Sequence, residues 1–326
     1  MNYASIIGTG TYVPEKIVDN HMLSELVETN DEWIRTRTGI KERRITTGEN
    51  TSDLALKASE ATLENAGIKP EELDMIILST LTPDYFTPAT ACLVQRRLGA
   101  KNAVAFDISA ACSGFLFGLD VADSFIKAGK AKKILVVSSE VMSKVIDWKD
   151  RNTCVLFGDG SGAVVIEASQ KTGILNTVIG SKGDIEGNLI SKSRNVSNPF
   201  MERPETGENY LQMNGKEIFK FATRIMRKAL NDVLDGTGID LGDIKYIVPH
   251  QANDRMFEYV AGKMKFEKEK FYVNLERFGN TSSASIPIAL DEMAKKGLLE
   301  KGDKLIFVGF GGGLTWGAAL VEWQLN

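Results

Sequence analysis

The sequence predicts an α/β fold made of two duplicated halves, and three observations lead there. Short apolar strands alternate with helical stretches along the chain. The stretch Gly67-Ile68-Lys69-Pro70-Glu71-Glu72-Leu73-Asp74-Met75-Ile76-Ile77-Leu78 returns 171 residues later as Gly238-Ile239-Asp240-Leu241-Gly242-Asp243-Ile244-Lys245-Tyr246-Ile247-Val248-Pro249. The same offset pairs Ala58 with Ala229, Leu63 with Leu234, Leu119-Asp120 with Leu290-Asp291, and Leu135-Val136-Val137 with Ile306-Phe307-Val308. Unrelated αβ units do not keep one offset through helix and strand alike, whereas an internal duplication does. The halves are expected at 1–170 and 171–326, with mostly parallel strands.

Composition limits the function. The chain has 326 residues, 43% hydrophobic and 25% charged, with a formal net charge of -4. It can bury a large core, and it lacks the basic excess of a general nucleic-acid binder. Met1 to Gly8 has neither a basic flank nor a long apolar core, so no signal peptide is expected there. No run of about twenty apolar residues is available to span a bilayer. Cys92, Cys112 and Cys154 show no metal-ligand spacing and leave at least one thiol unpaired, which fits a reducing cytoplasm and no metal site.

Taken in order, the first apolar strand runs into Gly8-Thr9-Gly10, where the third glycine of a dinucleotide fingerprint is replaced by Val13 and followed by Pro14. It is read as a tight turn. His21 lies in a short helical pattern, and Trp33 sits in Thr29-Asn30-Asp31-Glu32-Trp33-Ile34-Arg35-Thr36-Arg37-Thr38-Gly39-Ile40. The run Ala103–Ile108 predicts a strand, followed by Ser109-Ala110-Ala111-Cys112-Ser113-Gly114-Phe115 at the start of a helix. A helix start offers backbone N–H groups that lower a thiol pKa and bind an oxyanion. A lone cysteine is nevertheless more often a small core residue than a nucleophile. Gly158-Asp159-Gly160-Ser161-Gly162 is read as a turn and, lacking a lysine, not as a phosphate loop.

Ser181 to Gln212 is rich in Gly, Ser, Asn and Pro and reads as a long excursion, either a pocket rim or surface decoration. Lys216, Lys220, Arg224 and Lys228 recur every four residues on a predicted helix and form one basic stripe. His250 follows the strand Tyr246–Val248, and Arg255 and Lys263 lie on the helix after it. The offset maps Cys112 onto Ser283, in Gly279-Asn280-Thr281-Ser282-Ser283, and Ser79 onto His250. If the halves pack about a pseudo-twofold axis, Cys112, His250 and Asn280 meet at one crevice, at strand ends where α/β folds bind ligands.

The motifs Ala110-Ala111-Cys112-Ser113-Gly114-Phe115, Pro249-His250-Gln251-Ala252-Asn253, Gly279-Asn280-Thr281-Ser282 and Gly309-Phe310-Gly311-Gly312-Gly313 resemble, together and over essentially the whole chain, the β-ketoacyl-acyl-carrier-protein synthase III family. These are the initiating condensing enzymes of the thiolase-like superfamily. The resemblance implies a five-layer αβαβα arrangement, a homodimer, no cofactor, and the condensation of an acyl-coenzyme A primer with malonyl-acyl carrier protein. Cys112 then resembles the acyl-accepting nucleophile, and His250 and Asn280 the donor pair that stabilises the enolate left by decarboxylation. The backbone N–H groups of Cys112 and Gly312 resemble the oxyanion hole, with glycine at 312 allowing close approach, and Phe310 resembles a gate. Thiolases need a second cysteine in the segment Phe310-Gly311-Gly312-Gly313-Leu314, and elongating synthases need a second histidine where Asn280 stands; neither is present.

By the same resemblance Trp33 stacks on the adenine of coenzyme A from one side and Arg151 from the other, with Arg37 and Asn253 in the same site. Without the resemblance, Trp33 reads as a half-buried packing residue. Lys220, Arg255 and Lys263 resemble positions that meet the acidic carrier, although the stripe also reads as an ordinary solvated face. The residue that closes the acyl pocket across the dimer aligns with Thr87, next to Phe86, and the primer is left open. Alternatives are a secondary-metabolic synthase with a non-acetyl primer, an inactive carrier-binding scaffold, and a thiol hydrolase.

Overall fold

The structure, a computed structural model, describes residues 3–184, 186–193, 196, 198–201 and 210–325. Five strands, β1 (Tyr3–Tyr12), β4 (Met75–Ser79), β5 (Val104–Ile108), β6 (Lys133–Glu140) and β7 (Gly160–Ser169), form one sheet in the order β1-β7-β6-β4-β5. Four more, β8 (Ile174–Ser181), β11 (Ile244–Pro249), β12 (Lys304–Gly311) and β13 (Thr315–Glu322), form a second in the order β11-β12-β13-β8. A single parallel bridge from Ile247 to Phe271 stands beside β11 where β5 stands beside β4. The two sheets therefore share one strand order.

They are mixed rather than mostly parallel. β4 runs parallel to β5 and β6, and β11 to β12, but every other pairing within these two sheets is antiparallel. The reason is plain between β12 and β13, where only Gly312 to Leu314 join the strands, far too few residues for a parallel crossover.

Helices make the other three layers. α3 (Thr51–Ala66) and α4 (Thr90–Leu98) cover the outer face of the first sheet, and α6 (Gly215–Leu234) and α7 (Asp254–Met264) lie on the outer side of the second. α5 (Gly114–Lys127) and α9 (Ser285–Lys295) lie between the sheets. Strand alternation divides the core accordingly. Ile76, Leu78, Leu135 and Val137 pack outward on Leu63 and Val94, while Ile77 and Val136 face inward on Phe115 and Leu119. In the second sheet Ile306 and Val308 face out and Leu305 and Phe307 face in. Buried on both faces, these strands read as continuous apolar runs. No helix among the described residues is long and apolar enough to cross a membrane.

The duplication holds residue by residue where the halves meet. The single-turn helices Ala111–Ser113 and Ser282–Ala284, and the starts of α5 and α9, are each 171 apart. So are Ala111 and Ser282, both left-handed, with φ of 46° and 51°. Each central helix is tied to the other half's strand. Asp120 on α5 accepts from the Thr177 hydroxyl on β8 at 2.6 Å, and Asp291 on α9 accepts from Thr9 and Thr11 on β1, both at 2.8 Å.

Two expected turns are strands. Gly8 and Gly10 lie inside β1, where a Cβ on Gly10 would fall 2.4 Å from the Thr62 backbone nitrogen of α3. Gly160 and Gly162 lie inside β7, where a Cβ on Gly162 would fall 2.9 Å from Pro287 and Ile288 of α9. Glycine is needed at these places because a helix crosses close to the strand, not because the chain reverses.

The remaining elements serve the site's rim. β2 (Ile17–Asp19) pairs with β3 (Glu42–Arg44), and α1 (Asn20–Ser24) and α2 (Asp31–Thr38) lie between them in sequence. β9 (Leu189–Ser191) pairs with β10 (Leu211–Met213) at the base of the excursion, and α8 (Leu275–Phe278) precedes Asn280. Ser197 and Arg203-Pro204-Glu205 of that excursion lie outside the described residues.

Candidate active site

The left-handed turns before α5 and α9 meet at the floor of a cavity of about 450 Å³. Cys112, His250, Asn280 and Phe310 all line it, so the crevice expected from the duplication exists. Leu81, Met142, Leu156 and Phe157 line it as well, and so do Leu189, Ile190, Leu211 and Met213 from the two ribbon strands β9 and β10. The described part of the excursion is thus a pocket rim rather than decoration.

Cys112 is almost fully buried, and burial pushes its thiol up to about 12. The nearby Ser282 hydroxyl and a backbone N–H pull the other way and lose. The helix-start lowering expected from the sequence is outweighed by desolvation. In the resting site the sulfur is a thiol.

His250 directly follows β11, and its backbone N–H donates to Val308 O at 2.7 Å. Nδ1 lies 2.7 Å from Ser285 Oγ, which also accepts the Gln251 N–H at 3.2 Å. Gln251 is itself fixed, donating to Pro249 O and Tyr272 O and accepting from the backbone of Asn274 and Leu275. The Phe310 ring meets the imidazole edge-on at 5.6 Å. Burial pushes the imidazole down to about 3, so it is neutral at ordinary pH.

The duplication explains how His250 is held. Its counterpart is Ser79, and the counterpart of Ser285 is Gly114. A Cβ on Gly114 would fall 1.7 Å from Ser79 Oγ, so that half tolerates no side chain there. In the second half the equivalent pair has become histidine and the serine that braces it.

Asn280 is clamped through its backbone, donating to Leu156 O at 2.9 Å and accepting from the Gly158 N–H at 3.0 Å. Its Oδ1 accepts the Ser282 N–H at 2.8 Å, which leaves the amide NH₂ as the end free to donate. The Cys112 turn is tied to the β12–β13 hairpin through Thr315, whose hydroxyl lies 2.7 Å from Ser113 Oγ, 2.9 Å from Ala110 O and 3.0 Å from Gly312 O. Close approach falls on Gly311 rather than Gly312. A Cβ at 311 would lie 2.6 Å from the Cys112 nitrogen, whereas one at 312 would lie 3.2 Å from Leu189 O.

One residue at the site was not singled out in the sequence. Glu140 ends β6, is fully buried, and accepts from Thr80, Thr82, Ser282 and Ser283 hydroxyls and from the Leu81 N–H. A carboxylate closing the apolar run Ile134–Val137 was the available signal.

At the rim, Trp33 packs one face on the core, with the Arg37 and Arg151 guanidinium carbons 4.6 Å and 5.2 Å from its ring centroid. Trp33 and Arg151 thus touch, and a ring entering between them has to part them, since it needs roughly 7 Å, twice a van der Waals contact. Asn253 caps α7 by accepting from the Arg255 N–H, donates to Arg37 O at 2.9 Å, and lines the cavity. Lys220, Arg255 and Lys263 are exposed on α6 and α7, with Lys220 paired to Glu217. Thr87 is exposed and does not line this chain's own cavity.

Comparison with known proteins agrees with this geometry. The family model described as 3-oxoacyl-[acyl-carrier-protein (ACP)] synthase III matches residues 106–183, and its C-terminal counterpart matches 234–323. The beta-ketoacyl-[acyl-carrier-protein] synthase III of Clostridium acetobutylicum is 52% identical over 323 residues, covering 99% of each chain. The 3-oxoacyl-[acyl-carrier-protein] synthase III of Aquifex aeolicus superposes with a TM-score of 0.92 at 48% identity, over 98% of this chain and 100% of that one. A priming beta-ketosynthase of the R1128 polyketide biosynthetic pathway superposes with a TM-score of 0.91 at 35% identity, over 99% and 97%.

Two outcomes are expected. Gly311→Ala pushes a methyl group onto the Cys112 amide and abolishes acylation of Cys112 while the chain stays folded, as intact-mass and circular-dichroism measurements will show. Of the two imidazole signals in an NMR titration, the one lost in His250→Ala keeps its neutral position down to about pH 5, because its pKa lies near 3. The sign for stability follows. Below 6.5 the unfolded chain takes up a proton that buried His250 refuses, so this residue's contribution falls as pH drops from 6.5 towards 3.

Proposed function

The chain belongs to the 3-oxoacyl-[acyl-carrier-protein] synthase III family and catalyses the initiating condensation of fatty acid synthesis, and from that premise we propose how its residues divide the work. Cys112 takes the acyl group from an acyl-coenzyme A. One thioester replaces another, so the exchange needs little driving force and no cofactor. The N–H groups of Cys112 and Gly312 receive the oxyanion, and the tie through Thr315 keeps the two turns in register.

Malonyl-acyl carrier protein enters next. Neutral His250 and the free NH₂ of Asn280 donate to its thioester oxygen as carbon dioxide leaves. Donors that are fixed and uncharged suit this step, because the negative charge appears only in the transition state and meets dipoles already in place. The carbanion attacks acyl-Cys112 and yields 3-oxoacyl-acyl carrier protein. The observation that carries this assignment is the convergence of Cys112, His250 and Asn280 on one buried cavity. Identity of 52% to a fatty-acid enzyme against 35% to a polyketide one favours the primary pathway.

Trp33, Arg37, Arg151 and Asn253 are the proposed coenzyme A contacts at the mouth, and Lys220, Arg255 and Lys263 the docking charges for an acidic carrier. The cytoplasm is the proposed compartment, since Cys112 must stay reduced to act. A homodimer is proposed through β5. This strand is an unpaired sheet edge, with Val104 60%, Tyr85 59% and Phe86 78% exposed. Pairing there brings Thr87 of one copy towards the acyl end of its partner's cavity, where its small side chain admits primers longer than acetyl.

Intact mass after incubation with acetyl-, isobutyryl- and longer acyl-coenzyme A tests the nucleophile. A single acyl adduct that vanishes in Cys112→Ser is expected, and its mass names the primer; no adduct from any of them overturns the assignment. Val104→Lys combined with Phe86→Asp is expected to halve the mass seen by sedimentation equilibrium, and a wild-type monomer overturns the dimer.

A further inference from the structure

Glu140 is a buried carboxylate that the condensation as described does not use, and what its oxygens hold bears on Asn280. The Asn280 backbone is fixed by its bonds with Leu156 and Gly158. Among the described residues its side chain has one tie, the Ser282 N–H donated to Oδ1 at 2.8 Å. That tie decides which end of the amide faces the cavity. With Oδ1 occupied, the NH₂ is presented. Without it the amide can turn end for end and offer an oxygen, which repels a developing enolate instead of stabilising it.

The tie depends on a backbone that serine does not favour. Ser282 is left-handed, with φ of 51°, and such a residue persists only where its surroundings hold it. The chain after it is fixed, because α9 is buried and the Ser285 N–H donates to Ser282 O. Relaxation would therefore turn the peptide before Ser282, which carries the N–H that Asn280 accepts. Glu140 opposes that turn. Its Oε1 accepts from the Ser282 hydroxyl at 3.1 Å and from the Ser283 hydroxyl at 2.7 Å. Its Oε2 is anchored in the first half, by the Thr80 hydroxyl and the Leu81 N–H at 3.1 Å and the Thr82 hydroxyl at 2.9 Å.

We propose that Glu140 is a positioning residue for the condensation step, stapling the Ser282 turn so that Asn280 presents its NH₂ to the malonyl thioester. This rests on the reading of Asn280 as a donor to that thioester. Glu140 acts through Ser282 and Asn280 and touches no substrate.

The duplication separates this role from a purely structural one. The offset of 171 maps Ser282 onto Ala111 and Glu140 onto Gly311. Ala111 is left-handed too, with φ of 46°, yet it has no hydroxyl, and Gly311 offers no carboxylate. The first half thus holds the same turn without a staple. What that turn gives the site is the backbone N–H of Cys112, and Gly311 packs close to it. The turn of the second half gives a side chain, which has a rotation of its own to be fixed. The staple stands only where an amide must be aimed.

Two steps are to be timed separately by rapid-quench intact mass: formation of acyl-Cys112 from acyl-coenzyme A, and its consumption on adding malonyl-acyl carrier protein. Asn280→Ala is expected to slow consumption on the order of a hundredfold, the weight of one preorganised donor. Glu140→Ala is expected to slow it to a similar degree and Ser282→Ala about tenfold, the weight of one hydrogen bond. Acylation is expected to stay within about threefold of wild type in both, since neither removes a group used in that step. In the Asn280→Ala background, Glu140→Ala is expected to cost nothing further, because the group it aims is gone. Glu140→Gln is expected to keep consumption within about tenfold of wild type, its carbonyl meeting the donors of Thr80, Leu81 and Thr82 and its NH₂ the two serine hydroxyls. If Glu140→Ala does not fold, Ser282→Ala carries the same cycle with Asn280→Ala.

Wild-type consumption in Glu140→Ala and Ser282→Ala overturns the proposal. So do equal losses in both steps with lowered Tm, losses that add to that of Asn280→Ala, and a glutamine variant as slow as the alanine one. Wild-type consumption in Asn280→Ala overturns instead the reading of Asn280 as a donor, and the proposal with it.

Discussion

Everything at the site depends on two helices being buried between two sheets and starting at the same place. A helix start carries unsatisfied N–H groups, and burying it requires partners for them. The Gly114 and Ser285 N–H groups donate back to Ala111 O and Ser282 O of the single-turn helices before α5 and α9, which bend through left-handed residues, and the Ser282 and Ser283 hydroxyls donate to buried Glu140. The hydrogen bonds from Asp120 to β8 and from Asp291 to β1 lock each helix to the other half. The cavity is therefore a property of the interface between the halves, and neither half could form it alone.

Burial has a price in chemistry, because a dry site raises thiols and lowers imidazoles. Here it wins over the Ser282 hydroxyl and a backbone N–H at Cys112 and over the Ser282 backbone at His250. The outcome is a neutral resting pair, suited to hydrogen bonding and ill suited to unaided proton transfer. The halves also differ in the groups they place here. Where the first half has Ser79 against Gly114, the second has His250 against Ser285, and where the second has Gly311 the first has Glu140. A symmetric frame thus holds an asymmetric set of groups, with a donor on one side and a carboxylate on the other.

Much of this was legible in the sequence, for a physical reason. The duplication repeats hydrophobic spacing, so its offset located the facing turns, and Cys112, His250 and Asn280 do line one cavity. What escaped was set by approach distances between elements far apart in the chain. Gly8, Gly10, Gly160 and Gly162 read locally as turns, yet each is a strand residue under a crossing helix. The close approach expected at Gly312 falls one residue earlier, because which residue of a glycine run faces the Cys112 nitrogen depends on the register of β12 against the turn. The mixed sheets escaped because a three-residue connection inside a glycine run looks like a loop of any kind.

The N-terminal ribbon shows the same logic extended to the mouth. Arg43 on β3 is fully buried with no carboxylate partner, an arrangement that is costly unless its donors are met. Its two terminal nitrogens donate to Val18 O, Asn20 Oδ1 and Val155 O, leaving Nε without a partner among the described residues, while its Cβ lies 3.1 Å and 3.3 Å from where side chains on Gly158 and Gly279 would begin. Those glycines flank the backbone bonds that hold Asn280. From Asn20 the path continues, since its amide donates to Asp31 in the first turn of α2, the helix that carries Trp33 and Arg37. One buried guanidinium thus braces both the Asn280 turn and the rim proposed to receive coenzyme A. An uncharged side chain of similar size would fill the space but meet none of these acceptors, and the cost of leaving them unpaired is what keeps a charge there.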